Sequence, residues 1–279
     1  MLRTPLDLID SERYPLHALD SESGQAMVTT IQDELAEHGA ASLPGFLRRD
    51  ALEVMVREAR ELAPRAFGGP TSVSPYFFNY DIGGPDVDDD HPSRREGKRQ
   101  LGQVAYDLIP EQSWLAQLYH SDLLTGLVAQ IECNPALSRL ADRYQSLNIS
   151  VMEEGGCQQW HFDRGHLVTT LLLQAAQAGG TFEYVHHLRS EHDENFAEVS
   201  RVLDGERTRV RAIDIKPGTL NLFRGHYSMH RVSQVRGARP RLQTIFAFAD
   251  APRTHGSLKS SILHYGPRVT ELEFKRHIG

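Results

Sequence analysis

The stretch Gln159-Trp160-His161-Phe162-Asp163 decides how the rest of the chain is read. His161 and Asp163 are separated by one bulky apolar residue, so on an extended strand both polar side chains leave one face while Phe162 leaves the other. An imidazole nitrogen and a carboxylate oxygen then converge. A second histidine from a distant strand completes a facial set of two nitrogens and one carboxylate, which suits non-haem Fe(II) and leaves three coordination positions open. His226 and His230, four residues apart and of equal strand parity, compete for that place.

Working outward, Pro217-Gly218-Thr219 is a turn feeding a strand, and Arg241 follows His230 by eleven residues. Iron in such a set needs two electrons from a reductant before it can use O₂. A 2-oxoacid cosubstrate supplies them, and its distal carboxylate calls for a buried cation with a planar bidentate fork, which arginine provides. The spacing to Arg241 favours His230 over His226 as the third ligand. Arg239 shares parity with Arg241, but Arg239-Pro240 has the chemistry of a turn before a strand. Asn148, on a predicted inner strand, is either a donor to the 2-oxoacid or an ordinary satisfied core amide.

Composition bounds the alternatives. With 279 residues and 40% hydrophobic content the chain can bury a sizeable core, and one domain spanning 1–279 is expected. A formal charge of −7, with no basic cluster, argues against nucleic acid or an anionic membrane as partner. No apolar run approaches the length of a membrane span, so a soluble cytoplasmic protein, monomeric or homodimeric, is the expectation. Cys133 and Cys157 are too few for a disulfide framework or a thiolate zinc site and are expected as free thiols.

Residues 1–144 read as largely helical. Met27, Val28, Ile31 and Leu35 keep helical spacing up to a capping Gly39, and Asp50 with Glu53 resembles a capping box opening a second helix. Residues 68–100, rich in Gly-Gly-Pro and carrying the solvated acid run Asp86–Asp90, have the chemistry of a long loop or lid. A third helix is predicted from Ser113 through Ile131, and a shorter one ending near Tyr144. From 145 to 250 the period changes to short strands closed by glycine turns, with a charged insert between Arg189 and Gly205 carrying a small amphipathic helix on Phe196, Val199 and Leu203. The fold predicted is mainly β with flanking helices around a jelly-roll, cupin-like core. Residues 251–279 are expected to wrap back irregularly, basic at the end.

Trp160-His161-Phe162-Asp163, Gly179-Gly180-Thr181-Phe182-Glu183-Tyr184-Val185, Pro217-Gly218-Thr219 and His230-Arg231-Val232 with Arg241 resemble the Fe(II)/2-oxoglutarate-dependent oxygenases. More closely, they are similar to the group of amino-acid halogenases of the BesD/HalD type and their hydroxylase relatives, over about His91 to Ala251. The resemblance implies a double-stranded β-helix core, iron held by His161, Asp163 and His230, and 2-oxoglutarate clasped by Arg241. In that group the halogenases have a small residue in place of the carboxylate ligand, which leaves room for chloride. Asp163 therefore points to hydroxylation of an unactivated C–H bond of a small polar metabolite, an amino acid or a derivative.

Arg164, Arg95, His226 and Trp160 are the candidate substrate contacts, and an arginine at 164 argues against a pocket for lysine. Desaturation, cyclisation or demethylation by the same iron is the rival outcome. A cupin-like metal- or ligand-binding protein without redox chemistry is the rival of another class.

Overall fold

In the computed structural model, which describes residues 3–78, 82–272 and 274, Ser21 and Gly39 bracket the first helix. Helix α1 (Glu22–His38) starts where the Ser21 hydroxyl accepts the Gly24 N–H, and it ends on Gly39 at φ +74°. A side chain at Gly39 would also strike the His186 imidazole, so glycine is required there twice over. Strand β1 (Ala40–Leu43) and helix α2 (Arg49–Leu62) follow. The expected capping box does not form: α2 begins at Arg49, so Asp50 lies inside the first turn and Glu53 pairs with Arg49 instead.

The glycine-rich segment is only partly a loop. It contributes β2 (Phe67–Val73) and opens β3 (Gly97–Val104), two strands in antiparallel register with Gly68 opposite Gly102. A Cβ on Gly68 would lie 2.1 Å from the Leu101 carbonyl oxygen, so here glycine permits close strand approach rather than a turn. Residues 79–81, within the expected lid, lie outside the described residues, and the aspartates of the acid run are exposed.

The long helix predicted from Ser113 is two, α3 (Trp114–His120) and α4 (Asp122–Ile131), broken at Ser121, whose backbone is extended. Its apolar stripe survives the break, with Leu115, Leu118, Leu124, Leu127 and Ile131 all buried. No helix ends at Tyr144. The short strand β4 (Ser138–Arg139) and a turn stand there, tied by the buried Asp142 carboxylate, which accepts the Tyr144 and Gln145 N–H groups at 2.8 Å each.

Strands β5 (Leu147–Met152), β6 (Cys157–His161), β7 (Val168–Gln174) and β8 (Phe182–Val185) precede helix α5 (Phe196–Leu203) in the charged insert. Then come β9 (Arg211–Ile213), β10 (Leu220–Phe223), β11 (Met229–Val232), β12 (Arg241–Phe246), β13 (Phe248–Ala249) and helix α6 (Leu258–Tyr265), which replaces the irregular tail expected. The basic chain end at 275–279 lies outside the described residues.

The strands form a curled antiparallel sheet of jelly-roll type in the order β1-β10-β7-β12-β5-β3-β6-β11-β8-β9, with β2 on β3 and a separate β4–β13 pair. Alternation divides it by polarity. On β5 and β12, Leu147, Ile149, Val151, Leu242 and Phe246 join the apolar faces of α1 to α4 in the main core. Asn148, Ser150 and Arg241 therefore line the inner, concave face. Among the described residues no helix is long and apolar enough to cross a membrane.

Glu58 of α2 fixes how the helical layer docks, because its carboxylate accepts the Trp114 N–H at 2.9 Å and so occupies the start of α3. Glu58→Ala should lower stability by about 1–2 kcal/mol; an unchanged urea midpoint would show that the contact is dispensable.

Candidate metal centre

Strands β6 and β11 pair so that His161 stands opposite His230, with a slip between this pair and the next, Gln158 opposite Val232. The strand expected to carry both motif residues ends at His161. Beyond it, the Phe162 N–H donates to the Pro75 carbonyl and the Asp163 N–H to that of Gly225, each at 3.0 Å. These two bonds, rather than strand alternation, bring Asp163 back to the histidines. Its carboxylate oxygens lie 3.1 Å from His230 Nε2 and 3.7 Å from His161 Nε2. The three ligand atoms fall within 4.8 Å of one another, and among the described residues no other His, Cys, Asp and Glu group does so.

Each imidazole is oriented by the backbone. His161 Nδ1 lies 2.8 Å from the Gln159 carbonyl and His230 Nδ1 3.0 Å from that of Ser228, so Nδ1 carries the proton and Nε2 presents its lone pair. Burial, with His230 alongside, pushes His161 down to about 3, so it stays neutral and able to ligate. Burial alone would raise Asp163, but His230 beside it holds its carboxyl below the usual range. Gly225 makes room for that carboxylate, since a Cβ there would sit 2.1 Å from Asp163 Oδ2.

Arg241 is 3% exposed, and burial lowers it to about 10. Among the described residues no hydrogen-bond or ion-pair partner answers its charge. Asn148 shares its inner face, opposite Ile245, with Oδ1 buried and unpartnered. The rival candidates are placed elsewhere. Arg239 spends its donors on the Ala175 and Ala176 carbonyls just beyond β7. His226 sits over the chain beside the site, its Nδ1 3.3 Å from the Asp163 carbonyl and 3.2 Å from that of Arg164.

Of the expected substrate contacts, Arg164 is exposed next to the triad, whereas Trp160 and Arg95 are not brought to it. Trp160 is buried among Tyr76, Phe162 and Val199 beneath α5, on the far side of the strand, with Arg231 over its ring. Together with Arg95, which pairs with Asp204, it lines a surface pocket of about 210 Å³ whose wall contains none of the triad.

Sequence reasoning missed the groups that do adjoin the triad. Gln158 Nε2 lies 2.9 Å from His161 Nε2, Phe77 lies 5.6 Å from the His161 ring, and Arg99 and His264 stand behind them. Gln158, three residues before His161, would face away from it on a regular strand, and the slip in the β6–β11 pairing, which the local sequence does not show, brings its amide round. The others come from segments read as loop and tail.

His264 is pushed down to about 3 by burial, with Arg99 adding to the effect. A folded-state value below the unfolded one means that stability is complete above the unfolded value of 6.5 and is lost as pH falls toward 3. His264→Phe should therefore flatten the decline of Tm between about pH 6.5 and 4 relative to wild type; parallel curves would exclude this role. Gly225→Ala, read by calorimetric titration, should weaken Fe(II) binding about tenfold or more through Asp163, and unchanged affinity would count against the crowding argument.

Comparison with known proteins gives one family model, described as Halogenase D, which matches residues 87–262. No curated protein matches the sequence. Among solved structures, the non-haem α-ketoglutarate-dependent epimerase SnoN from nogalamycin biosynthesis superposes with a TM-score of 0.55 at 16% identity, covering 81% of this chain and 82% of that one. AviO1 from Streptomyces viridochromogenes Tue57 gives 0.54 at 17% identity, covering 80% and 95%. An oxidoreductase of the 2OG-Fe(II) oxygenase family from Burkholderia pseudomallei gives 0.50 at 15%, covering 82% and 92%. At these identities the likeness is one of fold, and it agrees with the curled antiparallel sheet.

Proposed function

The chain belongs to the halogenase D family of Fe(II)- and 2-oxoglutarate-dependent oxygenases, and on that premise we propose that it hydroxylates an unactivated C–H bond of a small polar metabolite, an amino acid or a close derivative. The observation that carries the reading is the aspartate at 163, whose carboxylate lies 3.1 Å from His230 Nε2 and completes a donor set supplied wholly by the chain.

The residues present fit the cofactors. Two backbone-oriented imidazoles and one carboxylate are the donor chemistry that Fe(II) takes, and His161, Asp163 and His230 would hold it. Arg241, buried without a counter-charge, would receive the distal carboxylate of 2-oxoglutarate, and the unpartnered Asn148 on the same face is placed to support that acid. Bound there, iron and 2-oxoglutarate supply the oxidising power, with O₂ consumed and succinate and CO₂ released as one oxygen enters the C–H bond.

The chain's own part is placement. The Gln159 and Ser228 carbonyls fix the imidazole tautomers, and the Phe77 ring beside His161 excludes water. Asp163 fills the position that chloride takes in the family's halogenases, which supports hydroxylation over halogenation. Gly225 keeps that position open to a carboxylate.

Anaerobic addition of Fe(II) and 2-oxoglutarate should produce the visible metal-to-ligand charge-transfer band, and its absence in the wild type would sink the assignment. With a substrate in hand, the product should gain one oxygen. A loss of two hydrogens would redirect the reading to desaturation or ring closure, and chlorination by the wild type would contradict the role given to Asp163. Arg241→Met should raise the 2-oxoglutarate KM by about tenfold or more.

A further inference from the structure

Asp163 is the ligand of the centre that no strand holds, and one buried guanidinium reaches the contacts that hold it instead. Residues 164–166, which follow it, are exposed, so its place is set by two backbone bonds, from the Phe162 N–H to the Pro75 carbonyl and from the Asp163 N–H to the Gly225 carbonyl. Arg189, 4% exposed, lies against both. Its Cζ stands 4.2 Å from the centroid of the Phe162 ring and 5.7 Å from that of Tyr76, the neighbour of Pro75. Its Nε donates at 2.7 Å to the carbonyl of His226, the neighbour of Gly225. Nη1 donates at 2.9 Å to the Glu194 carboxylate, and two in-plane bonds from different nitrogens fix the plane of the guanidinium.

Arginine is the residue type suited to this place. A planar fork donates within its plane while its face lies on an aromatic ring, and an ammonium cannot do both at once. Supporting contacts one step removed from a metal change its affinity by about 10–100-fold. The two histidines need no such brace, because β6 and β11 pair with His161 opposite His230 and each Nδ1 rests on a nearby backbone carbonyl. Only the carboxylate depends on chain outside the ladder.

We propose that Arg189 is the positioning residue for the carboxylate ligand: by tying Phe162 to the turn at Gly225-His226, it sets Asp163 where its carboxylate joins His161 and His230. This rests on the metal-centre reading above and deepens it. Among the described residues Arg189 makes no hydrogen bond or ion pair with the triad and acts through Phe162 and His226. The charged insert, to which Arg189 and Glu194 both belong, is then a brace for the centre. Removing the guanidinium leaves a two-histidine site on an intact sheet.

A double-mutant cycle on the whole protein reads the effect apart from turnover. Arg189→Met keeps the length of the side chain and its packing on Phe162 but removes the fork, and Asp163→Gly removes the ligand. Ni(II), which takes imidazole nitrogen more strongly than Fe(II), is titrated by calorimetry so that a two-histidine site stays measurable, and circular dichroism follows the metal-free fold. Arg189→Met should weaken Ni(II) binding about tenfold or more when Asp163 is present, and by no more than about twofold in the Asp163→Gly background. Arg189→Lys, which restores the charge but not the fork, should lie between wild type and Arg189→Met, about threefold or more weaker than wild type.

Equal weakening in both backgrounds overturns the proposal, because Arg189 then supports the fold in general rather than the ligand. Unchanged affinity in Arg189→Met overturns it as well. If Arg189→Met loses its native circular dichroism, the cycle is run with Arg189→Lys, which must weaken Ni(II) beside Asp163 and not in the Asp163→Gly background; loss of the native signal in both variants overturns the proposal. The cycle needs neither 2-oxoglutarate nor O₂, whereas the wild-type charge-transfer band reports on the oxygenase reading, so the two fail separately.

Discussion

The antiparallel register between β6 and β11 is the constraint on which the rest of the centre depends. Setting His161 opposite His230 places two imidazoles with ring centroids 4.1 Å apart, at the end of one strand and the middle of another. Backbone carbonyls two residues before each histidine then aim both rings the same way. The third donor does not belong to the ladder at all. It is returned by a bond to Gly225, in the turn that leads into β11, so the strand that carries one histidine and the turn that precedes the other together define where the carboxylate goes. A one-residue slip in this pairing would turn one histidine away from the other and dismantle the set.

Around that pair the sheet sorts its residues by period two. One face meets four helices with leucine, isoleucine and phenylalanine, and the other gathers Asn148, Ser150 and Arg241 into the interior of the curl. Buried polar groups without partners are expensive in a core. On the inner face Arg241, Arg99 and the Asn148 oxygen stand without partners, while the Trp160 indole and the Thr169, Thr219 and Thr244 hydroxyls do so elsewhere.

Much of this was legible in the sequence because it is local. The histidine and aspartate two apart, the apolar stripe of α1 with its terminal glycine, and the glycine-closed strands each announce themselves within a window of a few residues. What was missed depends on partners far along the chain. Gly68 looks like a turn residue until it is seen facing Gly102 across two strands, and with that pairing unread Arg99 received no role within a segment read as loop. The break at Ser121 leaves the apolar spacing intact and so has no signature in periodicity. Trp160 shows the opposite case: adjacency to the motif suggested a pocket position beside the triad, but alternation sends it through to the other side of the strand, under α5.

Asp163 is the second residue beyond the end of β6, and its backbone N–H donates to Gly225 outside the ladder. Its side chain packs against no core cluster. The residue to which we assign the choice between oxygen insertion and halide capture therefore stands outside the ladder, whereas the two histidines are embedded in paired strands. Such an arrangement uncouples the evolution of reaction outcome from the evolution of stability. A lineage can exchange the third ligand without first accumulating mutations to support the sheet, and one fold is thereby free to serve descendants that oxidise the same kind of carbon in different ways.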